Sequence, residues 1–288
     1  MANSNKLIET FDTVELYRSD LKLCDPPRYL NDNLIGFTFE YFAKVLFPKE
    51  NYLFCPPGAA FVISHEDDHE DLFDTLNGKD VSPKKKLLFF PVNDASDTSM
   101  LYSGRSQGNH WSLLVYNSDT KRFYSFDSSM GSNYRSALRL AQQLSCVLPV
   151  GEEGDSDGWN HSNKNNNNNN DNDDREGKKQ EKPSEKKPTV LLAPVRVLKA
   201  VVVVKSTKVK VTEVKCPQQN NGYDCGVYLL AHAKAIAESY PKGMKLESCF
   251  EHLSKHVDAK SATAMRKQIP KWIKEVESSA RSGDGGST

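Results

Sequence analysis

Apolar residues recur every three to four positions in several segments of the chain, which is the period of an amphipathic helix. The clearest case runs from Ile35 to Leu46 and predicts a helix over residues 31–47, with Asn31 and Asp32 as candidates for its N-cap. The other segments with this period are 59–64, 70–77, 134–148, 225–238, 245–256 and 259–278.

Other segments carry the patterns of strands. The apolar run Lys86–Val92 is typical of a buried strand. Segments Trp111–Tyr116 and Arg122–Asp127 flank a short Asn/Asp/Thr turn, so they are predicted to form a β-hairpin. Further along the chain, β-branched residues mixed with lysine predict strands at Val190–Val204 and Lys208–Lys215.

Between the hairpin and these later strands the composition changes abruptly. Residues 151–188 are rich in Asn, Lys, Glu and Asp and nearly devoid of apolar side chains, so they lack the burial needed to offset the entropy of ordering. We predict a disordered insert in a surface loop of one domain built from residues 1–149 and 205–278, with a flexible tail at 279–288. A linker between two domains is the alternative.

The overall composition bounds the class of protein. The 38 Lys and Arg residues balance 38 Asp and Glu residues, which gives no electrostatic reason to expect nucleic acid or an anionic membrane as a partner. The first residues contain no apolar signal segment, and the aliphatic run Ala200–Val204 is too short to cross a bilayer. The expectation is a soluble protein of the cytoplasm and/or nucleus.

The six cysteines are scattered, without a C-x-x-C pair or a metal-ligand spacing. This pattern favours reduced thiols in a reducing compartment, most of them small buried side chains. A single reactive thiol is then the feature to look for.

Cys225 lies where a loop becomes a predicted helix, and the partial positive charge of a helix N-terminus favours a thiolate. His110 directly precedes one strand of the predicted hairpin, and Asp127 ends the other. The carboxylate is therefore placed to orient the imidazole as a base for the thiol. Each of the three signals is weak alone, since a lone Cys, His or Asp in these places is more often structural.

Three segments together carry a specific pattern: His110–Tyr116, Phe126–Ser128 and Gln218–Gly226. Their amino-acid sequences, and the order His, Asp, Gln and then Cys, resemble the sentrin/SUMO-specific (Ulp-type) protease family of cysteine peptidases. The segment Asp25–Phe37 also resembles this family. Its sequence is most similar to the deneddylase branch, the proteases of the neddylation modifier.

The resemblance implies an α+β, papain-like cysteine protease fold with a mixed central sheet flanked by helices. It implies that Cys225 is the nucleophile, His110 the general base and acid, and Asp127 the residue that orients His110. Gln219 corresponds to the glutamine of the oxyanion hole, and a side-chain amide N–H is a suitable donor there. Without the motif, Gln219 would be taken for an exposed loop residue.

The resemblance also implies three substrate-binding residues. Trp111 corresponds to a tryptophan that roofs a narrow tunnel for a Gly-Gly tail, although from the residues alone a buried core tryptophan is favoured. Asp32 corresponds to a position that hydrogen-bonds the tail of the modifier. Tyr29 stands where the family usually has tryptophan.

The function implied is cleavage after the C-terminal Gly-Gly of a ubiquitin-like modifier, most directly the neddylation modifier and its conjugates such as cullins. The resemblance implies no metal or organic cofactor, and we expect a monomer with no nucleic-acid or membrane partner. SUMO is the alternative modifier. Two further hypotheses come from other functional classes. They are an acyltransferase on a related triad fold and a catalytically inert binder of ubiquitin-like proteins.

Overall fold

The structure is a computed structural model of the 288-residue chain. It describes residues 7–11, 13–66, 68–78, 81–95, 108–151, 209–240 and 246–283. The predicted insert after Gly151 and the predicted strand Val190–Val204 lie outside these residues. The described residues belong to one compact unit drawn from residues 1–152 and 204–288.

Seven strands form two sheets in the described residues. They are β1 (Leu7–Phe11), β2 (Val14–Tyr17), β3 (Tyr52–Phe54), β4 (Leu87–Asn93), β5 (Trp111–Asn117), β6 (Arg122–Phe126) and β7 (Val211–Glu213). Strands β1 and β2 form an antiparallel hairpin, and the other five form a sheet in the order β3-β4-β5-β6-β7. The outer pairs β3–β4 and β6–β7 are parallel and the inner pairs are antiparallel, which confirms the predicted mixed sheet.

Eight α-helices accompany these strands in the described part of the chain. They are α1 (Arg18–Leu21), α2 (Asp32–Tyr41), α3 (Pro57–His65), α4 (His69–Gly78), α5 (Tyr134–Leu144), α6 (Cys225–Ser239), α7 (Leu246–His256) and α8 (Ala259–Gly283). A 3-10 turn at Lys22–Cys24 follows α1, and a π-helical turn at Phe42–Leu46 continues α2.

The central sheet is buried on both faces, which is why β4 and β5 are almost wholly apolar. Alternate side chains of a strand point to opposite faces. In β5, Leu113 and Val115 therefore pack in the core that contains α2, α6 and α8, whereas Leu114 and Tyr116 pack in the core that contains α3 and α5. The hairpin of β5 and β6 lies at the centre of the fold, held by helices on both sides.

The structure differs from the sequence prediction at several element ends. Helix α5 ends at Leu144 instead of residue 148, and the predicted strand Lys208–Lys215 is limited to Val211–Glu213. Helix α8 continues to Gly283, into the segment predicted as a flexible tail. Ser278 and Ser279 both donate side-chain hydrogen bonds to the Glu275 carbonyl, so the polar composition of this end is compatible with a helix.

Within the described residues, no helix is long and apolar enough to cross a membrane. The same residues contain no group of three or more His, Cys, Asp or Glu side chains arranged to hold a metal ion. All six cysteines are free thiols.

Candidate active site

Cys225 is the first residue of α6, and its side chain is buried at the N-terminal end of that helix. Its backbone N–H is one of the groups that a helix N-terminus leaves without an intrahelical partner. The sequence prediction placed Cys225 in this position. The helix behind it is almost entirely buried and packs on β5, so the thiol has a fixed location.

The β5–β6 hairpin brings His110 and Asp127 together. His110 directly precedes β5 and Asp127 directly follows β6, and the antiparallel register pairs Leu113 with Phe126 at that end of the hairpin. The imidazole Nε2 of His110 lies 2.6 Å from Oδ1 of Asp127. Cys225 lies close enough to His110 to help raise the pKa of its imidazole. The three residues predicted from the sequence therefore meet at one place.

The surroundings favour a charged imidazole beside a charged carboxylate. Burial lowers the pKa of His110, but the hydrogen bonds and charges of Asp127 and Cys225 outweigh burial and raise that pKa to about 9. Burial acts to raise the pKa of Asp127, yet hydrogen bonds from His110 and from backbone N–H groups hold it below its ordinary value. One of those donors is the Asn133 N–H, 2.8 Å from Oδ2. Such a pair can move a proton to a leaving amine at neutral pH.

The backbone of His110 is itself held by Asp94, a residue that the sequence analysis did not single out. Asp94 Oδ1 accepts hydrogen bonds from the backbone N–H groups of Asn109, at 2.7 Å, and His110, at 3.0 Å. The only signal in the sequence is a short carboxylate directly after a buried strand, a common turn feature.

Gln219 lies in the loop before α6, half buried, and its backbone N–H donates to the Ser128 carbonyl at 2.9 Å. This places it next to the loop that follows Asp127. An amide in this position, six residues before the thiol in sequence, can donate an N–H to a developing oxyanion together with the Cys225 backbone N–H.

Trp111 and the segment of the predicted tail-binding residues lie beside α6. A Cβ at Gly226 would lie 3.2 Å from Leu30 Cβ and 3.6 Å from Trp111 Cδ1, so a side chain here would crowd Leu30. Trp111 is buried, which agrees with the core role that its residue type alone favours. The indole nevertheless contacts the helix directly after the candidate nucleophile.

The other two predicted substrate-binding residues are exposed. Tyr29 is 47% exposed and Asp32 lies on the surface at the first turn of α2. The N-cap of α2 is Asn31, whose side chain accepts from the Leu34 N–H, so Asn31 and not Asp32 caps the helix. Buried Asp20 fixes the segment by accepting from the Asn31 side chain at 2.8 Å.

A buried ion pair holds the start of α6. Arg266 of α8 donates through Nη2, at 2.6 Å, and Nε, at 3.1 Å, to Oδ1 of Asp224, the residue before Cys225. The same guanidinium donates to the carbonyls of Leu23 and Tyr223. Arg266 thereby ties three separate segments of the chain together behind the thiol.

We expect Arg266→Met to destabilise the protein by about 3–5 kcal/mol, because it leaves the buried Asp224 carboxylate without its partner. Urea unfolding measures this change in the free energy of unfolding. The double variant Asp224→Asn with Arg266→Met removes both charges and is expected to be more stable than Arg266→Met alone. A single variant within about 1 kcal/mol of the wild type would contradict a paired role for these charges.

Comparisons with known proteins identify the family of this chain. Residues 193–277 match the model of the Ulp1 protease family, C-terminal catalytic domain. The NEDD8-specific protease 1 of Arabidopsis thaliana is 31% identical over 239 residues, which covers 82% of this chain and 77% of that protein. The human sentrin-specific protease 8 is 28% identical over 227 residues, 78% of each chain.

Two solved structures share the fold. The C-terminal Ulp1 protease domain in complex with Smt3, the yeast ortholog of SUMO, is 17% identical with a TM-score of 0.55, covering 94% of this chain and 88% of the other. A crystal structure described as the de-sumoylating protease is 14% identical with a TM-score of 0.56, covering 96% of this chain and 93% of the other. These likenesses confirm the α+β protease fold expected from the sequence.

The fold and the relatives together define a cysteine protease. The chain belongs to the Ulp1 protease family, whose members act on ubiquitin-like modifiers.

Proposed function

We propose that this protein is a deneddylase, which cleaves after the C-terminal Gly-Gly of NEDD8 in its precursor, its conjugates or both. The observation that carries the proposal is the His110–Asp127 pair beside Cys225 at the start of α6. The choice of NEDD8 is supported by the Arabidopsis relative, which is named a NEDD8-specific protease. SUMO remains the second candidate, because the likeness to SUMO proteases extends over the fold.

The proposed reaction is acyl transfer in two steps. The Cys225 thiolate attacks the carbonyl carbon of the last glycine and forms a C–S bond. The oxyanion is stabilised by the Cys225 backbone N–H and the Gln219 amide. His110 donates its proton to the leaving amine as the C–N bond breaks, which leaves a thioester.

Water then completes the cycle. His110, now neutral, takes a proton from a water molecule while the water oxygen attacks the thioester carbonyl. The C–O bond forms, the C–S bond breaks, and the thiolate returns beside a protonated His110. Asp127 stays ionised throughout and keeps Nε2 of His110 as its donor, so the other ring nitrogen faces Cys225.

Trp111 supports selection of a glycine tail. Its indole lies against Gly226 at the start of α6, and a flat ring over the tail would admit glycine and exclude a residue with a side chain. Tyr29 and Asp32 are exposed on the neighbouring segment and supply an aromatic surface and a carboxylate for the tail. Cullins as conjugates, a monomeric enzyme and a location in the cytoplasm and/or nucleus belong to the same proposal.

The test uses NEDD8, SUMO and ubiquitin, each carrying a C-terminal electrophile. We expect NEDD8 to form a covalent adduct at Cys225 at least about tenfold faster than SUMO or ubiquitin, a difference of about 1.4 kcal/mol. Intact mass measures the rate, peptide mapping locates the adduct, and Cys225→Ala serves as the control.

The outcomes separate the alternatives. Adduct with SUMO alone keeps the protease mechanism and rejects the deneddylase assignment. Adduct with none of the three modifiers would favour an acyltransferase or an inert binder. Binding without an adduct identifies the binder.

A further inference from the structure

Two loops meet beside the candidate active site. The acid loop (residues 127–133) follows β6, and the amide loop (residues 216–224) leads into α6. The Gln219 backbone N–H donates to the Ser128 carbonyl at 2.9 Å, and the Ser128 hydroxyl donates to Gln219 Oε1 at 2.8 Å. One residue of the acid loop thus holds both the backbone and the side chain of Gln219.

The neighbours of the Gln219 amide determine its orientation. Its Nε2 donates to the Asn221 carbonyl at 2.6 Å, and a carbonyl can only accept. Its Oε1 accepts from the Ser128 hydroxyl. One N–H of Nε2 therefore remains for a further acceptor. A reversed amide would set two carbonyl oxygens against each other at Asn221.

Orientation decides whether this amide helps or hinders the reaction. An N–H directed at the developing oxyanion stabilises the transition state, whereas Oε1 in the same place would repel it. The donor must also be held in position beforehand, since a freely rotating glutamine loses entropy when it is ordered. A group that fixes Oε1 on the far side of the amide meets both needs.

We propose that Ser128 is a positioning residue for the oxyanion-stabilising amide of Gln219. The proposal rests on the proposed function, because it assigns Ser128 a role in that same reaction. The Ser128 side chain is buried, only 3% exposed, so bulk water cannot readily replace its hydroxyl. Its neighbour Asp127 holds His110, so a single dipeptide positions both the base and the oxyanion donor.

Gln218 makes the arrangement rigid. Its Nε2 donates to the Asp127 carbonyl at 2.9 Å, and its Oε1 accepts from the Met130 N–H at 2.8 Å. These bonds fasten the amide loop to the acid loop on either side of Ser128. Ser128 is therefore well placed to transmit a fixed geometry to Gln219.

The first experiment is Ser128→Ala, measured with NEDD8 carrying a C-terminal fluorogenic amide. We expect kcat to fall about 5- to 10-fold, the scale of one lost neutral hydrogen bond, with KM unchanged. Rates are normalised to the concentration of active sites, titrated to completion with the electrophilic modifier, so a partly unfolded sample does not imitate the effect. Ser129→Ala is the matched control, because its hydroxyl makes no hydrogen bond within the described residues, and it is expected to keep the wild-type kcat.

A double-mutant cycle separates positioning from a general structural role. Gln219→Ala is expected to lower kcat by about 100-fold, as removal of an oxyanion donor does elsewhere. In that background Ser128→Ala is expected to change kcat less than about twofold, since the group that it positions is gone. Four results would each overturn the proposal. They are an equal loss of kcat in both backgrounds, a change in KM alone, no loss of kcat, and a Ser128→Ala protein without titratable active sites.

The outcome for Ser128 can be told apart from the outcome for the proposed function. If the wild type cleaves SUMO and not NEDD8, the deneddylase assignment fails and the same cycle is measured with the SUMO substrate. If the wild type cleaves no modifier, the proposed function fails and the Ser128 proposal fails with it, before any variant is made.

Discussion

Replacement of Cys225 by alanine is expected to abolish tail cleavage, lowering kcat/KM by at least about 10⁴-fold. The thiol is the nucleophile in the proposed reaction, and neither His110 nor Gln219 can form the thioester. The loss of one sulfur atom at the start of a well-packed helix should leave the modifier-binding surface intact. Cleavage of the fluorogenic NEDD8 amide measures the loss, and calorimetric titration with NEDD8 checks that binding persists.

Cys146→Ala is the matched control for this variant. Cys146 is the exposed thiol among the six free cysteines and lies after α5, outside the elements that carry the triad. We expect it to keep full activity and to leave adduct formation at Cys225 unchanged. A Cys225→Ala protein that still cleaves the tail at a tenth of the normal rate would show that another residue is the nucleophile.

The parts of the fold that sequence predicted best are those in which local pattern and tertiary environment agree. The β5–β6 hairpin carries apolar strands and a turn whose residues specify a reversal, so its pairing followed from the sequence. Helix α6 combines good helix formers with burial on nearly every side, and its predicted start at Cys225 is correct. The α+β class with a mixed sheet followed from the family resemblance and is confirmed.

The strands that were missed are short, and one of them, β3, depends on a partner that is distant in sequence. Strands β1, β2 and β3 have five, four and three residues, so none is long enough for its alternation to be recognised alone. Each is defined by its partner strand, as β3 is by β4. Strand order and pairing across such distances cannot be derived from local periodicity.

His232 of α6 shows that helical periodicity alone does not reveal how deeply a polar side chain is buried. Its side chain is completely buried and contacts the rings of Phe126 and Tyr228. Burial lowers the pKa of His232 to about 4, so it is neutral at physiological pH. A neutral imidazole fills a core position much as an aromatic side chain does.

In the candidate site, the sequence likewise identified the reacting residues but not the contacts that hold them. The motifs identified Cys225, His110, Asp127 and Gln219. The structure brings the first three together and places Gln219 against Ser128, the residue after Asp127. Motifs do not show what holds them, because Arg266 is more than forty residues after Asp224 and Ser128 is 91 residues before Gln219. These supporting contacts exist only once the chain is folded, and they require coordinates to be found.

Replacement of Asp127 by alanine is expected to lower kcat/KM by about 10²- to 10⁴-fold, because it removes the group that orients and charges His110. It is also expected to move the alkaline limb of the pH profile. In the intact protein Asp127 and Cys225 raise the pKa of His110 to about 9, so the proton needed by the leaving amine is present below that pH and is lost above it. Without the Asp127 carboxylate, burial acts with less opposition and the pKa of His110 falls. The pH at which activity declines must then fall as well.

The measurement is kcat/KM from about pH 5 to about pH 10, normalised to titrated active sites. Asp74→Ala, which removes an exposed carboxylate from α4, is the control and should keep the wild-type profile. A lower rate with an unmoved alkaline limb would mean that Asp127 orients the imidazole without setting its charge. A shifted limb with an unchanged maximal rate would mean that Asp127 sets the charge of the imidazole without orienting it. Both roles are open to a carboxylate 2.6 Å from Nε2. The proposed mechanism requires both effects in the same variant, because the imidazole must hold its proton and also direct that proton at the leaving amine.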